Sequence, residues 1–242
     1  MTDVELPEPL VPAARALFAE RFALAERYAA LVAGDGVVRG LIGPREAPRI
    51  WDRHLLNCAV VAELIPNGSS VTDVGSGAGL PGIALALARP DLTVVLVESL
   101  ARRTAFLTEA VADLGLGDQV SVVRGRAEEF NGRLPRADIV TARAVAPLDR
   151  LAGWCLPLTR VGGKLLALKG STAAEEVAAH RAAVVRLGGG TPTVRLCGVD
   201  LLPEPTTVVE IVRDHDVVRD RDSWPRRGGS AGNRPPERRY RR

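Results

Sequence analysis

The 242-residue sequence predicts an α/β protein with a doubly wound, mostly parallel sheet of seven strands and an N-terminal helical extension. The first observation is that short β-branched runs alternate with helical patterns from Ser70 onward, which is typical of parallel sheets. The second is a glycine-rich loop, residues 75–82, directly after the first of these runs. The third is a close-spaced final pair of strand patterns, 193–199 and 207–212, which predicts an antiparallel edge.

The hydrophobic periodicity then places the individual elements. Residues 10–31 repeat apolar positions at helical spacing, and Gly34 and Gly36 are predicted to end this helix. A second helical pattern spans 48–64 and is broken by Pro66-Asn-Gly. The alternating region predicts strands at 70–74, 93–97, 120–123, 138–142 and 164–168, helices at 81–88, 102–114, 148–156 and 173–187, and a short turn at 127–130.

Composition divides the chain into three regions. Residues 1–69 are predicted to be a helical extension packed on the core, 70–215 the α/β domain, and 216–242 a basic, disordered tail. The net charge is +3, but residues 225–242 hold seven arginines and one acid, so the rest of the chain is net negative. A tail rich in Gly, Pro, Ser and Arg cannot bury a core. It could hold a polyanion such as RNA without reading its sequence, or be a solvated appendage.

Several classes of protein are disfavoured by the sequence. No apolar run reaches the length of a membrane helix, and no secretion signal opens the chain, so we expect a cytoplasmic protein without membrane contact. Cys58, Cys155 and Cys197 lie far apart in apolar surroundings. They fit buried thiols better than a disulfide framework or a zinc site, and we expect no metal.

The glycine loop indicates a ligand that touches the backbone. Gly75, Gly77 and Gly79 follow Asp73, and a side chain at any of the three would hold a ligand off. The same loop also satisfies a dinucleotide fingerprint through Gly82. A carboxylate just before the turn would repel the pyrophosphate of NAD, but it suits the cationic amine and sulfonium of S-adenosylmethionine. The charge of Asp73 therefore favours S-adenosylmethionine, and NAD remains the alternative.

Glu98 is the second candidate for binding this ligand. It ends a run, residues 92–97, in which five of six residues are Leu or Val, as expected of a strand buried on both faces. An acid at the carboxyl end of such a strand lies at the ligand crevice of an open α/β sheet. We expect it to accept hydrogen bonds from ribose hydroxyls.

Several separated stretches of the chain resemble the RsmG family, also called GidB. These bacterial methyltransferases modify N7 of a guanine in the 530 loop of 16S ribosomal RNA. The resemblance covers about residues 10–215, leaves out the basic tail, and implies a Rossmann-like class I methyltransferase fold with S-adenosylmethionine as donor. Its most specific parts are Leu80-Pro-Gly and Ala142-Arg-Ala. The stretches are Arg53-His-Leu-Leu-Asn, Asp73-Val-Gly-Ser-Gly-Ala-Gly-Leu-Pro-Gly-Ile, Glu98-Ser-Leu-x-Arg-Arg, Gly125-Arg-Ala-Glu-Glu-Phe, Ala142-Arg-Ala-Val-Ala-Pro-Leu and Leu166-Ala-Leu-Lys-Gly.

The resemblance assigns donor-binding roles to matching positions. Gly75 and Leu80 would line the donor pocket, and Glu98 would hold the ribose. Ala127 and Glu128 would frame the adenine through a backbone amide and a side chain.

On the acceptor side, the resemblance implies that Arg143 reaches the donor or the incoming base. Lys169 would meet RNA phosphate. The alternative for Arg143 is a surface ion pair. His54 is interpreted as a hydrogen-bonded packing residue rather than a catalyst. The implied partner is 16S ribosomal RNA, either free or within a partly assembled or intact small subunit, and we expect a monomer.

The chemistry of guanine N7 agrees with what the sequence lacks. N7 carries a lone pair and no proton, so transfer needs orientation rather than a general base. No Asn/Asp-Pro-Pro-aromatic motif is present, which disfavours transfer to an exocyclic amine; residues 141–147 stand after the fourth strand instead. Methylation of another RNA, a protein or a small molecule remains open from the residues alone, as do an oxidoreductase and a non-catalytic binding module.

Overall fold

A single seven-stranded sheet organises the protein. The computed structural model describes residues 4–217, so most of the predicted tail lies outside the described residues. The strand order is β3-β2-β1-β4-β5-β7-β6, with β1 to β5 parallel to one another and β7 antiparallel to both of its neighbours. The predicted fold class is confirmed. The strands are β1 Ser70–Val74, β2 Thr93–Glu98, β3 Val120–Arg124, β4 Ala137–Arg143, β5 Thr159–Lys169, β6 Thr193–Cys197 and β7 Thr206–Val212.

The close-spaced final pair is antiparallel and lies at one edge of the sheet, as predicted. β7 lies between β5 and β6, so the antiparallel strand is internal and the edge strand is β6. Four of the five residues of β6 are exposed, whereas most of β7 is buried. The more apolar strand therefore takes the internal position, where both of its faces are covered.

Helices cover both faces of the sheet. One apolar cluster joins the N-terminal helices and the two helices that follow β1 and β2 to one face. A second cluster joins the helices that follow β4 and β5 to the other face. The helices are α1 Val11–Phe18, α2 Phe22–Leu31, α3 Asn57–Ala59, α4 Gly82–Ala88, α5 Ala101–Asp113, α6 Leu148–Cys155 and α7 Ala173–Arg186. None of the helices within residues 4–217 combines the length and the apolar composition that a membrane span requires.

The N-terminal region is less regular than its periodicity predicts. The single helix predicted over 10–31 is broken at Ala19, where φ is +43°, into α1 and α2. The break accompanies a buried aromatic cluster: the Trp51 ring lies edge-on to Phe18, with centroids 6.4 Å apart, and stacks on Phe22 at 6.2 Å. Tertiary packing of these rings overrides the local helical preference.

The second predicted helix, 48–64, also differs from the prediction. The helical segment begins earlier, at Pro44, and changes type along its length. A 3-10 stretch, Pro44–Arg49, precedes a π-helical stretch, Ile50–Leu56, and α3 then leads into a final 3-10 stretch, Val60–Leu64. π-helical turns are rare in proteins in general, but those that occur are often found at functional sites.

Strand β5 is longer than predicted because its N-terminal part includes Gly162 and Gly163, which were expected to precede the strand. The prediction began at residue 164, but the strand begins at Thr159 and its register with β4 shifts between Ala137 and Ile139. A Cβ on Gly163 would lie 2.6 Å from the carbonyl oxygen of Asp138. Glycine therefore permits a close backbone approach at an irregularity in the pairing.

The strand order places a crevice above β1 and β4. The chain connects β1 to β2 on one side and later returns to add β4 on the other side of β1. Open α/β sheets bind ligands at the carboxyl ends of the strands at such a switch point. Val74, Glu98 and Arg143 are the last residues of β1, β2 and β4. The fold thus brings the glycine loop and two of the predicted site residues to one edge.

We predict that Gly82→Ala lowers the free energy of unfolding by about 1 to 3 kcal/mol, as overpacking of a core typically does. A Cβ at this first residue of α4 would lie 2.3 Å from Leu96 Cδ2 and 3.0 Å from Asp73 Oδ2. Urea unfolding would measure the loss. The matched control is Gly117→Ala, whose Cβ would meet nothing within 4 Å. Equal effects of the two substitutions would contradict this account of Gly82.

Candidate functional site

The loop between β1 and α4 has a backbone that glycine permits. Gly75, Gly77 and Gly79 have φ values of +71°, +59° and +98°, a region that other residues adopt with strain. A Cβ on Gly77 would meet only one backbone oxygen, 3.9 Å away, so the backbone is accessible to a ligand there. The loop combines the required conformation with room for close approach.

Asp73 lies beneath this loop rather than facing a cavity. Its side chain is fully buried, and Oδ1 accepts a hydrogen bond from Thr141 Oγ1 at 2.9 Å. Oδ2 accepts the backbone N–H of Gly82 at 3.2 Å, and burial raises the pKa of Asp73 to about 6. The carboxylate therefore joins β1, β4 and α4. Direct contact with cationic groups of a ligand, as the sequence analysis expected, is not the arrangement that these hydrogen bonds provide.

A residue of the N-terminal extension supports the loop from the other side. The hydroxyl of Tyr28, on α2, is fully buried and donates to the carbonyl oxygen of Ala78 at 2.8 Å. A Cβ on Gly79 would lie 2.9 Å from that hydroxyl oxygen. The sequence analysis missed this contact, because the two partners are 50 positions apart and leave no local pattern.

Glu98 is held rigidly at the mouth of the crevice. Oε2 accepts the backbone N–H of Gly77 at 3.0 Å, and Oε1 accepts that of Leu100 at 2.9 Å. Arg103 Nη1 lies 3.7 Å from Oε2. The side chain is nearly buried and lines a cavity, and each carboxylate oxygen can accept more than one hydrogen bond.

Two neighbouring cavities lie along this edge of the sheet. The first, about 390 Å³, is lined by the glycine loop including Gly75, Gly77 and Leu80, together with Glu98 and Arg103. The second, about 230 Å³, lies beyond Gly75 and contains the sequence-predicted pair at 127–128. Gly75 and Val145 line both cavities, and the two residues are close, since a Cβ on Gly75 would lie 2.9 Å from Val145 Cγ2.

The second cavity has both apolar and polar walls. Its lining includes Ala127 and Glu128, which the resemblance assigns to adenine, and the side chain of Trp154. Ser99 lines both this cavity and the first. The structure thus brings together residues from the ends of β1, β2, β3 and β4, as the sequence analysis expected.

A third and larger cavity, about 750 Å³, meets the first at Arg143 and Ala144. Arg143 Nη2 lies 2.6 Å from His54 Nδ1, and its Nη1 donates to the carbonyl oxygen of Arg53 at 3.4 Å. Ala144, the next residue, has φ of +53°, a strained value for alanine. The chain turns sharply here and leaves the guanidinium between two cavities.

Lys169 lies on the wall of the third cavity, but its ammonium is already engaged. Nζ donates to the carbonyl oxygen of Ala146 and to Glu176 Oε1, both at 2.8 Å, and the side chain is only 12% exposed. Glu176 Oε1 also accepts the backbone N–H of Leu148. Lys169 therefore ties the loop after β4 to α7, and these contacts do not fit the predicted encounter with RNA phosphate.

The sequence analysis also missed the role of the helical segment at 44–64 in this site. Glu46, His54 and Asn57 all line the third cavity, and His54 contacts both Glu46 and Arg143. The available signal was the Arg53-His-Leu-Leu-Asn stretch, but helical periodicity alone does not show which of its side chains meets a strand end. No cluster of three or more potential metal ligands occurs among the residues that the structure describes.

The chain is similar to known proteins over most of its length. A sequence profile of GidB, described as rRNA small subunit methyltransferase G, matches residues 21–199. Ribosomal RNA small subunit methyltransferase G of Salinispora tropica is 66% identical over 217 residues, covering 88% of this chain and 90% of that protein. The protein of the same name from Streptomyces coelicolor is 58% identical and is covered to 86%, as is this chain.

Solved structures extend the similarity to the fold. Mitomycin 7-O-methyltransferase MmcR superposes with a TM-score of 0.56 at 20% identity, over 85% of this chain and 66% of that one. Similarity at this level shows a shared fold.

We predict that Asp73→Asn removes a pH-dependent destabilisation. Between about pH 4 and pH 6 the folded protein retains a proton on Asp73 that the unfolded chain has lost, so Asp73 makes stability fall as pH rises. A rise in pKa from 3.8 to about 6 corresponds to about 3 kcal/mol. The amide can accept from Gly82 and donate to Thr141, so the variant should fold and gain stability above pH 6. Urea unfolding across pH 4 to 8 would measure the difference.

Asp138→Asn is the control of opposite sign. Hydrogen bonds from Ser70 and Arg160 lower the pKa of Asp138 to about 2, so its carboxylate stabilises the protein at neutral pH and this contribution is lost in acid. The variant should therefore be less stable than the native chain at pH 7. If Asp73→Asn showed the same direction as Asp138→Asn, the account of Asp73 would be wrong.

Proposed function

The chain belongs to the ribosomal RNA small subunit methyltransferase G family, GidB or RsmG, and on this premise we propose that it methylates N7 of a guanine in the 530 loop of 16S ribosomal RNA. The donor is S-adenosylmethionine. The observation that carries the proposal is the meeting of two cavities at Arg143 and Ala144. One cavity contains the glycine loop, and the other is large enough for a purine base.

The residues around the first two cavities fit S-adenosylmethionine. The open backbone at Gly77 admits a ligand, and the fixed carboxylate of Glu98 can accept hydrogen bonds from ribose hydroxyls. Arg103 Nε is buried and has no hydrogen-bond partner among residues 4–217, so an acceptor such as the donor's carboxylate would satisfy it. Ala127 and Glu128, in the second cavity, would hold the adenine.

The bound donor supplies an electrophilic methyl group on a sulfonium. The residues of this chain orient the acceptor, because guanine N7 has a free lone pair and no proton to remove. Arg143 lines both the first and the third cavity, and its guanidinium has N–H groups beyond those that contact His54, Arg53 and Cys58. Orientation by such a group accelerates a reaction without acid–base chemistry.

The third cavity also suits the charge that develops on the base. Methylation at N7 gives the guanine a positive charge. The carboxylates of Glu46 and Glu204 line this cavity and would stabilise that charge as it forms. The substrate would therefore gain electrostatic stabilisation on its way to product.

Four further expectations from the sequence remain predictions and accompany this proposal. They are the division into 1–69, 70–215 and 216–242, a monomeric state, a cytoplasmic location, and RNA recognition either free or in a small subunit. Tyr28 and His54, both within residues 1–69, contact the candidate site, so this region contributes to the site as well as to the packing of the core.

We predict that the protein transfers labelled methyl groups to 16S RNA in small subunits that lack this modification. Sequencing of the product should map the label to a guanine N7 in the 530 loop. Arg143→Ala should lower the rate by about 100-fold, because a misplaced acceptor costs about this much. Arg136→Ala is the control: this exposed arginine precedes β4, at the opposite end from Arg143. Label in a metabolite or protein fraction, with none in RNA, would contradict the proposal.

A second prediction concerns donor binding alone. Glu98→Gln should weaken binding of S-adenosylhomocysteine about 10- to 100-fold, since hydrogen bonds to a charged acceptor contribute about 1.5 to 3 kcal/mol. Isothermal titration calorimetry would measure the dissociation constant. Glu109→Gln is the matched control on α5, where the carboxylate is exposed and pairs with Arg39. Unchanged affinity in Glu98→Gln would remove this residue from the donor site.

A further inference from the structure

Two linked side chains from the N-terminal region, Glu46 and His54, hold Arg143 in place. His54 lies in the π-helical stretch Ile50–Leu56, and Glu46 lies in the 3-10 stretch before it. Glu46 Oε2 is 2.9 Å from His54 Nε2, and His54 Nδ1 is 2.6 Å from Arg143 Nη2. The His54 side chain is 9% exposed, so the ring is in contact mainly with protein and little with solvent.

The two contacts define the protonation state of the imidazole. A guanidinium can only donate, so His54 Nδ1 must accept and therefore carries no proton. The proton of a neutral ring is then on Nε2, which donates to the carboxylate of Glu46. A protonated ring would face the guanidinium with a second N–H and a second positive charge.

The charges around the ring favour the neutral form. Burial, followed by the positive charge of Arg143, lowers the pKa of His54, while Glu46 acts in the opposite direction. Arg53 adds a further positive charge on the same segment. On the far side of the guanidinium, the thiol of Cys58 lies 3.6 Å from Arg143 Nη1. The neutral ring thus links a carboxylate to a guanidinium without adding charge to the acceptor cavity.

We propose that Glu46 and His54 are positioning residues for Arg143 in the methyl transfer. They hold the guanidinium at the boundary between the first and third cavities, and the transfer slows in acid as His54 gains a proton. This inference rests on the proposed function. It adds that the protonation state of His54 controls the rate of transfer. A charged ring would release Arg143, and it would also oppose the positive charge that forms on the guanine.

The experiment measures single-turnover methyl transfer at saturating donor, with unmodified small subunits, from pH 5 to 8.5. His54→Phe keeps a ring but removes the acceptor for Arg143. His54→Asn places an amide oxygen close to the position of Nδ1 and cannot gain a proton. Glu46→Gln keeps an acceptor for Nε2 but removes the charge. His180→Phe, on α7, is the control for loss of a histidine elsewhere. Thermal unfolding and binding of S-adenosylhomocysteine confirm that each variant is folded.

We expect His54→Phe to lose about 10- to 100-fold in rate at pH 7.5, with the donor dissociation constant changed less than about threefold. His54→Asn should recover part of this loss and lack the decline in acid that the native protein shows. Glu46→Gln should move that decline to lower pH, because the carboxylate raises the pKa of His54. His180→Phe should match the native profile.

Nuclear magnetic resonance of the imidazole nitrogens gives a reading that does not depend on activity. The chain has only three histidines, so single substitutions assign the signals. His54 should be neutral at pH 7.5 with its proton on Nε2, and its pKa should lie below that of an ordinary histidine, because the ring is buried beside Arg143. A proton on Nδ1, or a charged ring at pH 7.5, would overturn the proposal.

The outcomes separate this inference from the proposed function. If the native protein transfers no methyl group to small-subunit RNA, the proposed function is wrong. If it does so, but His54→Phe retains the native rate or the decline in acid is unchanged in His54→Asn and Glu46→Gln, only the positioning role is wrong. Poor folding of His54→Phe leaves the pH profiles of the other two variants and the tautomer as the test.

Discussion

The buried carboxylate of Asp73 is the group that holds three elements of the site together. It belongs to β1, accepts from Thr141 on β4 and accepts from Gly82 at the start of α4. The glycine loop lies between β1 and α4, so its two ends are held by one buried group. Burial raises the pKa of this carboxylate to about 6, which shows that the arrangement costs stability at neutral pH. A cost of this kind is common where a functional site requires a fixed geometry.

The N-terminal extension completes the site instead of merely covering the sheet. Tyr28 supports the glycine loop through the carbonyl of Ala78, and His54 contacts Arg143 at the end of β4. The Tyr28 contact is buried and the His54 contact is partly buried, and both join residues at least 50 positions apart. The segment from Pro44 to Leu64, which carries His54, has an irregular backbone that changes between 3-10, π and α helix. The backbone of a regular helix is set by its local hydrogen bonds, whereas the backbone of this segment is adapted to its contacts with the rest of the protein.

Charge distribution gives each side of the crevice a different chemistry. The proposed donor side holds the Glu98 carboxylate next to the glycine loop and to Arg103, a mixture of charges that suits a ligand with both positive and negative groups. The acceptor side combines one positioned guanidinium, Arg143, with carboxylates, among them Glu46. In the proposed methyl transfer, this combination would orient a neutral base and stabilise the cationic product. Lys169, by contrast, is used to secure the loop after β4.

The sequence by itself determined the alternation of strands and helices, the glycine loop, and the positions of Glu98 and Arg143 at strand ends. These features are local, because periodicity of apolar residues and the conformational freedom of glycine act within a few residues. Tertiary structure alone decided that Asp73 is buried, that β7 is inserted inside the sheet, and that His54 reaches Arg143. Each depends on which distant surfaces pack together, and packing energy between distant residues leaves no periodic trace in the chain.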